Sequence, residues 1–232
     1  MKKILLLIFL FSCSPNEKQL DEHTIVQESD SFHRPDRETQ LSESLTSDEF
    51  DKFLSLFSTI SFDTLHVFSD DSGDRVLVEK AVPIKYLTYF PDAVRLGATE
   101  WNVDSVYAMY RFAYSPGVTA LIARVPSQHS SSAFNIFLFS NETEKLLHSQ
   151  RIAEFTGDAG DVYTEQSWIF KLNNDNLVDI ITKSKDVYAL NEDLTEFKHY
   201  DSTYVYLGNK SGFRKIQSSL ANTEAFKLKE TN

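Results

Sequence analysis

The run VDSVYAMYRFAYSPGVTALIARV, residues 103–125, decides how this chain is read. Val103, Val106, Tyr107, Tyr110 and Tyr114 fall at helical spacing, whereas Val106, Ala108, Tyr110, Phe112 and Tyr114 alternate as a strand does. The run is rich in aromatic residues and ends at Ser115-Pro116-Gly117. Pro then Gly suits the two central positions of a type II turn, so the strand reading is preferred. Residues 118–125 (VTALIARV) then return as its antiparallel partner.

Working outward, the same grammar continues. Residues 62–68 alternate, and the turn cluster 70–74 (DDSGD) leads into the β-rich run 75–79. After Pro126 there is no further proline, which leaves ladder hydrogen bonding uninterrupted. Residues 134–140, the turn 141–144 and residues 145–152 read as a hairpin, and 162–172 with 177–183 as another. Runs at 187–190, 203–207 and 213–216 complete the series, the last two joined by the loop GNKSG at 208–212. The spacing predicts a mainly β domain of antiparallel sheets, sandwich- or partial-barrel-like.

One helix precedes the strands. Thr46 and Glu49 make a capping box, with Leu45 and Phe50 in the staple positions. Phe50, Phe53, Leu54 and Phe57 then recur on one face of a short amphipathic helix, a stripe read as closing the core. Before it, residues 14–45 are polar, contain Pro15 and Pro35 and sustain no period. Such a segment buries too little apolar area to offset its ordering entropy.

The amino terminus carries the clearest address. Met1-Lys2-Lys3 is a basic start, residues 4–11 (ILLLIFLF) are an unbroken apolar run, and Ser12-Cys13 follows. The run is too short to span a bilayer, which takes about 20 apolar residues, and has the layout of a signal peptide. Leu10-Phe11-Ser12-Cys13 resembles the lipobox of bacterial lipoproteins, and Cys13 is the one cysteine in the chain. The resemblance implies cleavage before Cys13, acylation of its thiol and new amino terminus, and stable anchoring without a transmembrane helix. It also implies a cell-envelope location. Ser14, rather than Asp, after the cysteine is similar to lipoproteins sorted to the outer membrane. The organisation expected is a signal peptide over 1–12, the lipidated Cys13 and tether over 13–45, a globular β-rich domain over 46–217 and a frayed tail over 218–232.

Composition narrows function mainly by exclusion. The chain of 232 residues has 23 Lys+Arg against 34 Asp+Glu, a formal charge of -11. Loss of Lys2 and Lys3 with the signal leaves 21 basic side chains and a charge of -13. An acidic body stands off anionic headgroups and does not attract nucleic acid. A single cysteine excludes a disulfide framework or a Cys-based zinc site. No G-x-S-x-G, H-E-x-x-H, phosphate loop or dinucleotide fingerprint is present. No metal site, catalytic residue or cofactor is expected, and the six histidines, His129 in its Ser-rich run among them, are isolated. The best local carboxylate cluster is Asp158, Asp161 and Glu165 in GDAGDVYTE, read as a polar loop.

Residues 170–180 (FKLNNDNLVDI) resemble the core of an FG-GAP (VCBS-type) repeat, a unit of β-propellers whose loops often bind calcium. Asn173, Asp175 and Asp179 match the third, fifth and ninth positions of that loop, while Lys171 replaces the first Asp and Asn176 the Gly. The motif occurs once, although a propeller needs about four blades or more. Lys171 opposes a cation that wants oxygen ligands, so the expectation is a hairpin turn with Asn176 left-handed and no calcium. The reading as a whole is an envelope lipoprotein with a non-catalytic binding or assembly role. Its partners are the membrane, through the lipid, and an envelope protein or glycan. The alternative is an envelope hydrolase acting on glycan or peptide through dispersed carboxylates.

Overall fold

The computed structural model describes residues 47–69, 80–100, 106–127, 133–158, 160–172, 175–217, 219 and 223–229. Cys13, the tether, Leu45, Thr46, the run at 75–79, His129 and Asn173 lie outside them. No helix among the described residues is long and apolar enough to cross a membrane.

The architecture is mainly β. The strands are β1 (Ser58–Thr59), β2 (Thr64–Phe68), β3 (Lys80–Ala81), β4 (Tyr107–Ser115), β5 (Val118–Val125) and β6 (Ala133–Ser140), followed by β7 (Leu146–Asp158), β8 (Asp161–Phe170), β9 (Asp179–Ala189), β10 (Phe197–Asn209) and β11 (Gly212–Ile216). They form one sheet in the order β1-β4-β5-β6-β7-β8-β9-β10-β11, with β2 added to β8 and β3 to β4. Every pair is antiparallel except β1 with β4, which run parallel.

The sandwich character comes from β7. Its first part pairs with β6 up to Ala153, and its last part, from Glu154, pairs with β8. One core lies between the two halves so created and takes Ile122, Ile136, Leu138 and Ile152 from the first and Ile169 and Ile180 from the second. The opposite face of β5 and β6 supplies Leu121, Ala123, Phe137 and Phe139 to a second core roofed by helices. Strands β5 and β6 are thus buried on both faces, which is why they read as continuous apolar runs.

The roof begins with α1 (Ser47–Leu54), whose Phe50 and Phe53, with Phe57 just beyond, face the core as the stripe implied. Glu49 also bonds beyond its own helix. Its carboxylate accepts from Lys85 at 2.6 Å, Lys52 at 3.0 Å and Tyr86 at 3.1 Å. The Lys85 contact, then that of Lys52, lowers its pKa to about 2.

The expectation of one helix is corrected. A 3-10 helix, Ile84–Tyr89, and α2 (Asp92–Glu100) complete the roof. The aromatic and β-branched content of 84–90 hides the first of these, but Pro83 and Pro91 stand where proline favours entry into a helical turn. Two further differences are of length. The runs at 177–183 and 187–190 are one strand, and β10 reaches back to Phe197. The tail is also not wholly frayed: Phe226 and Leu228 pack on Trp168, Ile181 and Val205. Gln166, fully buried, donates to Lys229 O at 2.8 Å and accepts from Lys229 N at 2.9 Å.

Candidate binding face

Strand alternation sorts β8, β9 and β10 into two faces, and the face that begins in the inter-sheet core changes character along its length. Ile169, Ile180 and Tyr206 form one cross-strand row. The next is Ser167, Thr182 and Tyr204, the third Glu165, Ser184 and Ser202, the fourth Tyr163, Asp186 and Tyr200. Tyr188 and Lys198 follow. Apolar packing thus passes through hydroxyls and a carboxylate to tyrosines at the open end, where Tyr188 and Tyr200 are exposed.

Glu165 is the electrostatic centre of this face. It lies directly across from Glu154 of β7, and both are buried, 7% and 8% exposed. Two adjacent buried carboxylates require a counter-ion. Arg151 supplies it: its Nε donates to Glu165 at 3.0 Å and Nη1 donates to Glu154. Its Nη2 donates to Tyr163 Oη at 3.2 Å, and that hydroxyl donates to Glu165 at 2.7 Å. Burial opposes the charge on Arg151, but Glu165 and Glu154 outweigh it and raise its pKa. Burial, then Glu165, likewise raises Tyr163 and Tyr206, so both phenols keep their protons.

Cations also stand over the tyrosine rings. Lys215 Nζ is 3.7 Å from the Tyr204 centroid, Lys198 4.7 Å from Tyr200, and the Arg151 guanidinium 5.4 Å from Tyr163. Such contacts, each worth about 0.5–1 kcal/mol at exposed sites, hold rings in fixed orientations. The result is an ordered set of hydroxyls and rings, which suits recognition.

The structure divides the carboxylates that sequence grouped. Asp161 Oδ1 accepts from Ala189 N at 3.0 Å and ties the start of β8 to the end of β9. Asp158 closes the β7–β8 hairpin opposite Asp161. Glu165 joins the buried network instead. The reason is periodicity: Asp161 and Glu165 are four residues apart on a strand, about 13 Å. Arg151, Glu154 and Tyr163 were not anticipated, although Tyr163-x-Glu165 and Tyr204-x-Tyr206 carry the period of two that places each pair on one face.

The described residues of the turn at 170–180 bond within the protein. Asn176 has φ 63°, left-handed as expected. Asp175 Oδ1 accepts from Leu177 N at 2.9 Å, an Asx turn. Asp179 accepts from Leu172 N and from Gly208 N, one per oxygen, both at 2.8 Å. A cleft of about 400 Å³ beside this turn is lined by Ile60, Phe62, Asp63, Phe112, Lys171 and Val178, without a convergent polar cluster. Among the described residues no three His, Cys, Asp or Glu side chains converge to hold a metal ion. Comparison of the chain with protein-family models, with curated proteins and with solved structures finds no match.

Proposed function

We propose that this chain is a lipid-anchored binding protein of the bacterial cell envelope, tethered through Cys13 and engaging an envelope glycan through the Tyr163–Tyr204 face. The observation that carries the binding role is the graded row of hydroxyls and ring-locked tyrosines leading away from the core. Tyrosine offers large contact area and a hydroxyl at low entropic cost. A polyhydroxylated ligand matches both. The hydrolase reading is less well supported. A glycosidase pair needs one carboxyl as acid and one as base or nucleophile, whereas Glu154 and Glu165 both accept from one guanidinium.

Anchoring is tested by Cys13→Ala. The wild-type protein is expected to partition into detergent and carry acyl mass, and the variant to do neither, because no other thiol exists. Acyl mass on the variant, or none on the wild type, removes the lipoprotein reading. Binding is tested by co-sedimentation with purified cell-wall glycan. Tyr204→Ala is expected to weaken retention about tenfold, the loss of one well-placed aromatic contact. Equal retention of both proteins would exclude this face, and release of new reducing ends by the wild type would favour the hydrolase.

A further inference from the structure

Among the described residues, strand pairing covers only part of the outer edge of β10. Residues 197–206 pair with β9, but β11 covers only Val205–Asn209 on the other side. No described strand pairs the outer edge of residues 197–204. An open edge of this length is a template for another strand, and proteins that stay apart usually block it with bulges, proline or inward charges. This stretch, FKHYDSTY, has no proline, and its pairing with β9 continues without a register shift. Phe197 and Tyr200 are 43% and 46% exposed, and Tyr188 beside them 42%.

We propose that residues 197–203 pair antiparallel with the same residues of a second copy, about a two-fold axis through Tyr200. Two identical edges in one continuous antiparallel sheet are related by an axis normal to the sheet, so facing residues share parity and the axis falls on a residue or between equivalent ones. Side-chain chemistry selects the register. Centred on Tyr200, His199 faces the partner's Asp201 and Asp201 the partner's His199. Lys198 faces Ser202 of the partner subunit, and Phe197 faces Thr203 of the partner subunit. Centred on Asp201, two carboxylates meet; centred on His199, Asp201 faces the partner's Phe197 and gains no donor. Like charges directly opposite are destabilising in a ladder, whereas an imidazole N–H can donate to a facing carboxylate.

Aromatic packing favours the same axis. Tyr188 and Tyr200 already meet edge to face, with centroids 6.0 Å apart. Pairing at Tyr200 extends this contact through the partner's Tyr200 to the partner's Tyr188, giving one row across both copies. The inference rests on the edge and its side-chain pairing and does not require the glycan reading.

The test is sedimentation equilibrium of the full chain in nonionic detergent at about 100 µM, high enough to populate a small interface. A dimer is expected. His199→Asp alone, which sets Asp against Asp, and Asp201→Lys alone, which removes the acceptor facing His199, should each shift the protein to monomer, with affinity lowered at least about tenfold. Mixing the two variants should restore a dimer, because the new Asp then faces the new Lys and the wild-type pair forms on the other side. Rescue also shows that both variants are folded. In a Cys13→Ala background, Tyr200→Cys should cross-link to its own copy under mild oxidation. A monomeric wild type, single variants that dimerise as well as wild type, or a mixture without rescue would each overturn the proposal.

Discussion

Phe53→Ala is expected to lower unfolding stability by about 3–5 kcal/mol, the range for emptying a large aromatic site in a packed core. Phe53 is fully buried, and its ring stacks on Tyr89 at 4.6 Å. It also meets Phe57, Phe90 and Phe139 edge-on at 5.5, 5.6 and 5.8 Å. These contacts join α1, the 3-10 helix and β6, so the cavity would open where three elements meet and none can collapse into it alone. The loss is large against a total of roughly 5–15 kcal/mol for a domain. Urea unfolding followed by far-UV circular dichroism measures it. Ile84→Ala, at a residue 66% exposed in the same roof, should stay within about 0.5 kcal/mol. A Phe53→Ala cost below about 1.5 kcal/mol, half the low end of that range, would mean that the roof is not a cooperative part of the domain.

Asp179→Ala is expected to cost about 2–6 kcal/mol, from two backbone donors left unsatisfied at about 1–3 kcal/mol each. Asp179 is 1% exposed and receives Leu172 N and Gly208 N on separate oxygens, joining the β8–β9 turn to β10. The junction is tight. A Cβ on Gly208 would stand 2.4 Å from Val178 O and 2.8 Å from Tyr114 Oη. Tyr114 closes it from β4, with its hydroxyl 2.9 Å from Asn209 O and 2.8 Å from Gly212 O. Gly208→Ala should therefore destabilise as well, and the double variant less than additively, because both substitutions act on one junction. A two-state melt of each variant checks the order. Asp179→Ala at wild-type stability would show that its carboxylate is not the clasp, and would reopen it to a role as a cation ligand.

The carboxylates show how far local reading reaches. Asp175 and Asp179 attract attention because their spacing matches a calcium loop, yet Asp179 bonds to an amide 29 residues away. No window around residue 179 contains Gly208. Glu165 likewise lies in an acidic local run, but its partners are Arg151 and, across the ladder, Glu154. A pattern that lists charges along the chain cannot tell which of them alternation turns inward. The 3-10 helix at 84–89 was hidden for a related reason. Its aromatic side chains favour strands in isolation, and the need to roof one face of β5 and β6 overrides that preference.

What the sequence determined by itself was everything carried by local period and turn chemistry. The pairing of β4 with β5 through Pro116-Gly117, with Gly117 at φ 76°, the β6–β7 hairpin and the buried aromatic stripe of α1 all follow from neighbours within a few residues. Only the tertiary structure decided that β7 passes from one half of the sheet to the other, that β2 adds to β8, and that Arg151 serves two carboxylates on adjoining strands. The physical reason is that strand partners and buried counter-ions are chosen by burial and desolvation across the whole domain. Those terms depend on which faces meet, and the meeting of faces is not written in any short stretch of the chain.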